Sequence, residues 1–275
     1  MSFVRMFAIS LALLAGSAVS ALAADRVKLE DFLEITGFDV ALESIRLSAE
    51  SAPQMIGVAP EAFGSEWRRL ANDVFDTEVM HDLALDILEE TLADDLLDHA
   101  AAFYASDFGQ RIVEAENAAH LFEDDALKSE SGSAILAALE RIESPRLDYL
   151  NRMNAASGSA ESSVKAIQEI QVRFIMAASG AGVIDLRMDE PDLREALRAD
   201  EEAMLESIKA SALEGAAYTY QSFSDEETLL YAEALEHPKM REVYELMNAV
   251  QYEVMANRFE ALAGAMTRLR PSEEL

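Results

Sequence analysis

Thr77-Glu78-Val79-Met80-His81-Asp82-Leu83-Ala84-Leu85-Asp86-Ile87-Leu88-Glu89-Glu90-Thr91-Leu92 is the stretch that decides the fold class. Val79, Met80, Leu83, Ile87 and Leu88 fall on one stripe at helical spacing, with Glu78, Asp82, Asp86 and Glu89 largely opposite. The rest of the chain repeats this pattern. Glycine and proline number only 11 and 6 in 275 residues, while Ala, Leu, Glu and Met abound, which favours helix nearly throughout. No convincing run alternates apolar and polar residues with β-branched enrichment, so strands are not expected. The reading is an all-α, multi-helix bundle.

The breaks between helices follow from capping chemistry. Pro60-Glu61 and Pro191-Asp192 read as helix starts, with proline first and a carboxylate beside the positive end of the dipole. Ser224-Asp225-Glu226-Glu227 spells a capping box. Ser144-Pro145, His237-Pro238 and Ser106-Asp107 mark three further starts. Ser157-Gly158-Ser159 and Gly180-Ala181-Gly182 bracket Val164 to Ala178, the least polar long helix and the expected central element. At an offset of 131 the two halves share helix starts: Pro60 with Pro191, Asp94 with Asp225, Asp107 with Pro238. Identical letters are few, so the inferred duplication rests on those matched starts.

The N-terminus reads as a secretory signal peptide. Arg5 supplies a positive n-region, Met6 to Ala15 a short apolar core, and Ala21-Leu22-Ala23 a small-x-small cleavage pattern. The expected organisation is therefore a signal peptide over 1–23, a first helical half over 24–156, a second over 157–270 and a disordered tail over 271–275. The localisation that follows is periplasmic, with cleavage near Ala23. A retained anchor is the rival, but the apolar run gives way at Gly16-Ser17, short of the roughly 20 residues a span needs.

Composition limits the partners. With 52 acidic against 22 basic residues the net charge is −30. Such a surface is repelled by nucleic acid and anionic lipid, and the densest basic run is only Trp67-Arg68-Arg69. No nucleic acid and no stable membrane insertion of the mature chain are expected. The absence of cysteine excludes disulfides, thiolate metal sites and cysteine nucleophiles.

The most distinctive run is Phe103-Tyr104-Ala105-Ser106-Asp107-Phe108-Gly109-Gln110-Arg111. With the preceding Leu92-Ala93-Asp94-Asp95-Leu96, it resembles the signature of an exported bacterial family, domain of unknown function 2059. In that signature an aromatic pair precedes Ser-Pro, one residue, Gly and a polar residue. Here Asp107 stands for the proline. A fainter second copy lies near Ser224 to Asn248, where Pro238 keeps the proline but Met240 replaces the glycine and Ala234-Leu235 the aromatic pair. The resemblance implies a helical, exported protein and brings no activity with it. Physically, Phe103 and Tyr104 end one helix, Ser106 caps the next, and Gly109 allows close approach of two backbones. The alternative is that this hinge lines a ligand cleft, with Phe103, Tyr104, Ser106, Gly109 and Gln110 as the candidate site.

Other chemistry is thin. Asp95 with His99, Glu116 with His120 and Glu233 with His237 sit at i, i+4, and Glu116, His120 and Asp124 stack along one face. The Glu-x-x-His spacing of di-iron bundles is missing, so no metal is expected. Ser162-Ser163-Val164-Lys165 spells Ser-x-x-Lys, but its companion Ser-Asp-Asn and Lys-Thr-Gly motifs are absent. Met247, Met255 and Met266 could bind Cu(I), but they accompany an apolar stripe of Val243, Met247, Val250, Val254, Ala261 and Ala265 and read as core. The leading expectation is a non-catalytic binding or scaffolding module without a cofactor, its partner a protein or small molecule of the cell envelope. A cation-binding protein and an enzyme of unrecognised type are the alternatives.

Overall fold

The structure, a computed structural model, describes residues 26–49, 55 and 64–267. The signal-peptide segment, the Pro60-Glu61 helix start and the 271–275 tail lie outside the described residues. Those described contain no strand, and the fold is an all-α assembly of many packed helices. In chain order they are α1 (Arg26–Thr36), α2 (Phe38–Ser48), α3 (Gly64–Val74), α4 (Thr77–Thr91), α5 (Asp94–Tyr104), α6 (Asp107–His120) and α7 (Asp125–Arg141). There follow α8 (Arg146–Ser157), α9 (Ala160–Gly180), α10 (Glu190–Arg198), α11 (Glu201–Thr219), α12 (Asp225–Leu235) and α13 (Pro238–Met266).

The capping residues act as their chemistry dictates. Ser224 accepts from the backbone N–H of Glu227 while Glu227 returns the bond, completing the capping box of α12. Ser106, Ser159 and Asp76 cap α6, α9 and α4 by the same acceptor geometry. Pro191 occupies the second helical position rather than the first, because Asp189 caps α10 by accepting from Asp192 and Glu190 takes the lead place.

The central element is not Val164 to Ala178. That segment lies within α9, which packs along α13, and α13 is the helix around which the rest is arranged. Eleven of its residues are buried, from Met240 to Met266, and it also touches α2, α3, α4, α5, α8 and α12. Mean polarity misdirects the expectation: α13 is long and carries charged positions, but these lie off its buried residues, and two of them pair with an arginine of a neighbour. Arg173 of α9 pairs with both Glu253 and Glu260. Phe259 meets Phe75, the residue after α3, and Phe174 of α9 edge-on, at 5.4 and 5.5 Å between ring centroids. Contacts advance together along α9 and α13, from Ser157–Asn248 through Ser163–Tyr252 to Phe174–Phe259, so the two helices run parallel.

Two details of the stripe readings also change. In α4 the buried face is Met80, Ala84, Leu85 and Leu88, with Leu83 and Ile87 at its edge, and Val79 points outward. In α13, Ala261 is exposed while Leu262 and Ala263 are buried.

Helix α7 is held differently. Its buried residue is Gly132, whose missing Cβ lets the helix press on the backbone of Glu214 in α11. Ser129 and Ser133 then donate to the two carboxylate oxygens of Glu214, at 2.5 and 2.6 Å. An alanine Cβ at residue 132 would lie 2.2 Å from the Glu214 carbonyl oxygen, a contact that only backbone movement relieves. Gly132→Ala is expected to destabilise the chain by about 1–3 kcal/mol, the usual cost of overpacking. Chemical denaturation of both proteins checks this, and equal midpoints would show that α7 shifts freely on α11.

Candidate functional site

Four of the chain's seven tyrosines converge on one carboxylate. Glu116 sits on the inward face of α6, and its Oε1 accepts from the hydroxyls of Tyr220 at 2.6 Å and Tyr231 at 2.7 Å. Tyr231 in turn contacts the hydroxyls of Tyr104 and Tyr244, both at 3.0 Å, and Tyr104 and Tyr244 also touch each other. The four phenols come from the end of α5, the residue after α11, the middle of α12 and the first turns of α13. Tyr104 and Tyr231 are buried; Glu116, Tyr220 and Tyr244 are half-buried.

Two cavities meet at this cluster. One, of about 190 Å³, is bounded by Phe32, Thr36 and Gly37 of the α1–α2 corner and by Val243, Met247 and Asn248 of α13. The other, of about 340 Å³, lies toward α8 and α11 and has Lys128 and Asn154 on its wall. Glu116, His120 and Tyr244 line both.

The electrostatics follow from depth. Burial raises the pKa of Glu116 above the ordinary carboxylate value, and the two phenolic donors pull it only part of the way back. Burial likewise lifts Tyr104, Tyr220, Tyr231 and Tyr244, and the nearby carboxylate adds to the lift, so these phenols stay protonated. His120 has exposed surface at the shared rim. The protein mass around it, then the Lys128 ammonium, hold its pKa below the ordinary imidazole value.

Proton counting gives the network a direction. Each phenol carries one proton. Tyr220 and Tyr231 spend theirs on Glu116, so the protons of Tyr104 and Tyr244 serve the three contacts among Tyr104, Tyr231 and Tyr244, and two of these at most are hydrogen bonds at one time. With both protons in use at least one is donated to Tyr231, whose own proton points to Glu116 Oε1. Glu116 Oε2 makes no hydrogen bond among the described residues.

Of the hinge residues expected to form a site, Tyr104 is the one that lines a cavity described here. Phe103 is half-buried, edge-on to Tyr104 and Phe108 and stacked with Tyr231. Ser106 is exposed and caps α6, accepting from Gly109 at 3.0 Å and donating to Phe103 at 2.6 Å. At Gly109 a Cβ would sit 2.3 Å from the Phe103 carbonyl oxygen, so glycine sets the angle between α5 and α6. Gln110 binds the Tyr104 carbonyl at 2.7 Å and holds the corner shut.

The remaining candidates separate. Asp95 pairs with Lys239, and His99 stacks on His237, which caps α13. Asp124 caps α7 and stands apart from Glu116 in role. Among the described residues no group of three or more His, Asp and Glu is placed to hold a metal ion. Ser162 shares a hydrogen bond with Ser159, and none joins it to Lys165 among the described residues. Trp67 is buried in the core.

Residues 78–126 match DUF2059, described as an uncharacterized protein conserved in bacteria. The DUF2059 match spans α4, α5 and α6 and reaches the start of α7, so it contains Tyr104, Glu116 and His120. Tyr220, Tyr231 and Tyr244 lie beyond it. No curated protein and no solved structure matches the chain.

Sequence reasoning named Tyr104 and Glu116 separately and missed Tyr220, Tyr231 and Tyr244. Glu116 faces the apolar side of α6, four residues after Ile112 and three after Val113, both buried. A lone acid on that stripe was the available signal.

The raised Glu116 pKa carries a stability consequence. Between the unfolded and folded values, the folded chain keeps a proton that the unfolded chain has released, so this group's contribution falls as pH rises through that window. Surface carboxylates held low by arginines, such as Glu236 beside Arg152, slope the other way. The difference between wild type and Glu116→Gln removes them. Wild type is expected to lose stability relative to the glutamine variant as pH climbs from the ordinary carboxylate range to neutrality. Paired urea melts over that range check it, and a difference that is flat or grows with pH would refute the assignment.

Proposed function

We propose that the chain is an exported, non-catalytic binding module of the cell envelope, and that its ligand site is the cavity pair around Glu116. The observation that carries this is a carboxylate held deep among four phenols with one oxygen unengaged and open volume on its wall. Oε2 is not among the sealed polar atoms that lack a partner, so it is open to a group entering from the cavity side. Binding sites are typically apolar concavities with a few fixed polar groups, and this one has both. The hinge residues Phe103, Ser106, Gly109 and Gln110 belong to it as supports that aim Tyr104.

Export rests on the reading of residues 1–23. Among the described residues no helix is long and apolar enough to cross a membrane. Expression in a bacterial host is expected to give a periplasmic product whose first residue is Ala24 or Asp25. Terminal sequencing reads it, and a full-length product retained in the membrane fraction overturns it.

The two-halves reading is proposed on matched geometry. Helices α5 and α12 are both 11 residues long and start 131 apart, as do α6 and α13. Buried positions correspond at that offset: Leu92 with Phe223, Tyr104 with Leu235, Ile112 with Val243. Gly109 with Met240 is a further pair, both buried.

The binding reading is tested by filling the cavity. Ala41 is buried on the wall of the smaller cavity. Small molecules that raise the melting temperature of wild type are expected to lose most of that effect in Ala41→Leu, with circular dichroism of the variant checking that it folds. Ligands that stabilise both proteins equally would place binding elsewhere.

A further inference from the structure

We infer that the smaller cavity takes a small organic cation, an ammonium or guanidinium head on a short apolar body, with the head seated on Glu116 Oε2. This rests on the binding reading above and adds the class of ligand.

Donors and acceptors on the wall set what the cavity can receive. Glu116 is acceptor-only when ionised, and its Oε1 is already filled by two phenols. Thr36 spends its hydroxyl proton on the backbone carbonyls of Phe32 and Leu33, leaving its oxygen as an acceptor. Asn248 gives one of its two amide N–H groups to the Ser157 carbonyl at 2.7 Å and keeps Oδ1. Tyr104 and Tyr244 direct their protons into the network. Asn117 and Gln251 add amides that carry both donors and acceptors, so the acceptors gathered at Glu116 Oε2, Thr36 and Asn248 Oδ1 are where a group rich in N–H would be received.

Charge selects among such groups. No Lys or Arg lines the smaller cavity, and its titratable members are Tyr104, Glu116, His120 and Tyr244. The phenols are held protonated and His120 is held neutral, so neither offsets the carboxylate. A neutral donor would leave a desolvated negative charge uncompensated; a cation removes that cost. An anion meets only repulsion. The larger cavity is the poorer seat, because Lys128 is on its wall. A bare metal ion lacks ligands, since no group of three or more His, Asp and Glu is placed to hold one among the described residues. The walls away from Glu116 are Phe32, Phe38, Val243 and Met247, which suit a short hydrocarbon or aromatic body.

The experiment titrates the mature chain with three probes of one size, n-hexylamine, hexanol and hexanoate, at physiological ionic strength. Melting temperature and the near-ultraviolet dichroism of the tyrosines are read together. Hexylamine alone is expected to raise the melting temperature saturably and to perturb the tyrosine signal. Glu116→Gln is expected to weaken its apparent Kd by about tenfold or more, the loss of a charge-assisted bond. The exposed Glu114→Gln on the same helix is expected to leave it unchanged, which separates the site from general attraction to 52 acidic residues. Should Glu116→Gln fail to fold, Thr36→Val decides instead, with a weakening of several-fold expected. Equal hexylamine binding in whichever of these two variants is read overturns the inference. Hexanol or hexanoate binding as well as the amine, with the effect lost in Ala41→Leu, overturns the cation while sparing the cavity. If no probe's effect depends on residue 41, both readings fall.

Discussion

Helix α13 is enclosed along its length, and the manner of enclosure changes halfway. From Met240 to Val254 the buried residues recur at three and four, so one stripe faces inward. From Ala256 to Met266 the buried positions, which include Phe259, Leu262, Ala263 and Ala265, widen to about half the circumference. A rod of this kind has to be covered on several sides, and α3, α4 and α9 supply the cover. The free side of its first half is where the interior opens. Val243, Tyr244, Met247, Asn248 and Gln251 are neighbours on one helical face, and all five line the smaller cavity.

That placement brings Tyr244 inward with no backbone partner in reach, and the tyrosine cluster is the response. A buried phenol needs a hydrogen-bond partner. Tyr244 finds Tyr104 and Tyr231, and these three pass the demand to Glu116, which can accept twice at one oxygen. The carboxylate is then the costly member, because its desolvation is only partly offset by neutral donors. Each step follows from the one before, and the chain of needs ends at Glu116 Oε2.

Much of the fold was legible because capping and periodicity are local. The Ser224 box, the Ser106 and Ser159 caps and the helix starts at Asp107 and Pro238 are read from four or five neighbouring letters. The centre was less legible. Choosing the least polar helix pointed to α9, whereas the burial of α13 comes from apolar residues covered by elements far away in the sequence, α3, α4, α5 and α9. Long-range pairing of that kind leaves no local signature. The site was split for the same reason. Tyr104 stood out within a motif and Glu116 within an i, i+4 pair with His120, yet their meeting needs Tyr231 and Tyr244, more than a hundred residues on. The i, i+4 spacing relates Glu116 to His120, which lines the same cavities, and carries no sign of the phenols that take both of its hydrogen bonds.

The distribution of scarce cations bears on what the site is for. With 22 basic residues against 52 acids, the chain spends arginines mainly as pins between helices: Arg26 to Asp82 and Asp86, Arg152 to Glu236, Arg194 to Glu169. These carboxylates are largely exposed, where water screens the pair and each contributes little. Glu116, where a guanidinium would interact most strongly for want of solvent, receives only hydroxyls from the chain. An arginine there would neutralise the charge and fill the volume beside it. Four phenols instead hold the carboxylate in one orientation, keep one oxygen uncommitted and leave the space open. That arrangement preorganises a negative charge without cancelling it, and the proposed binding role rests on this property.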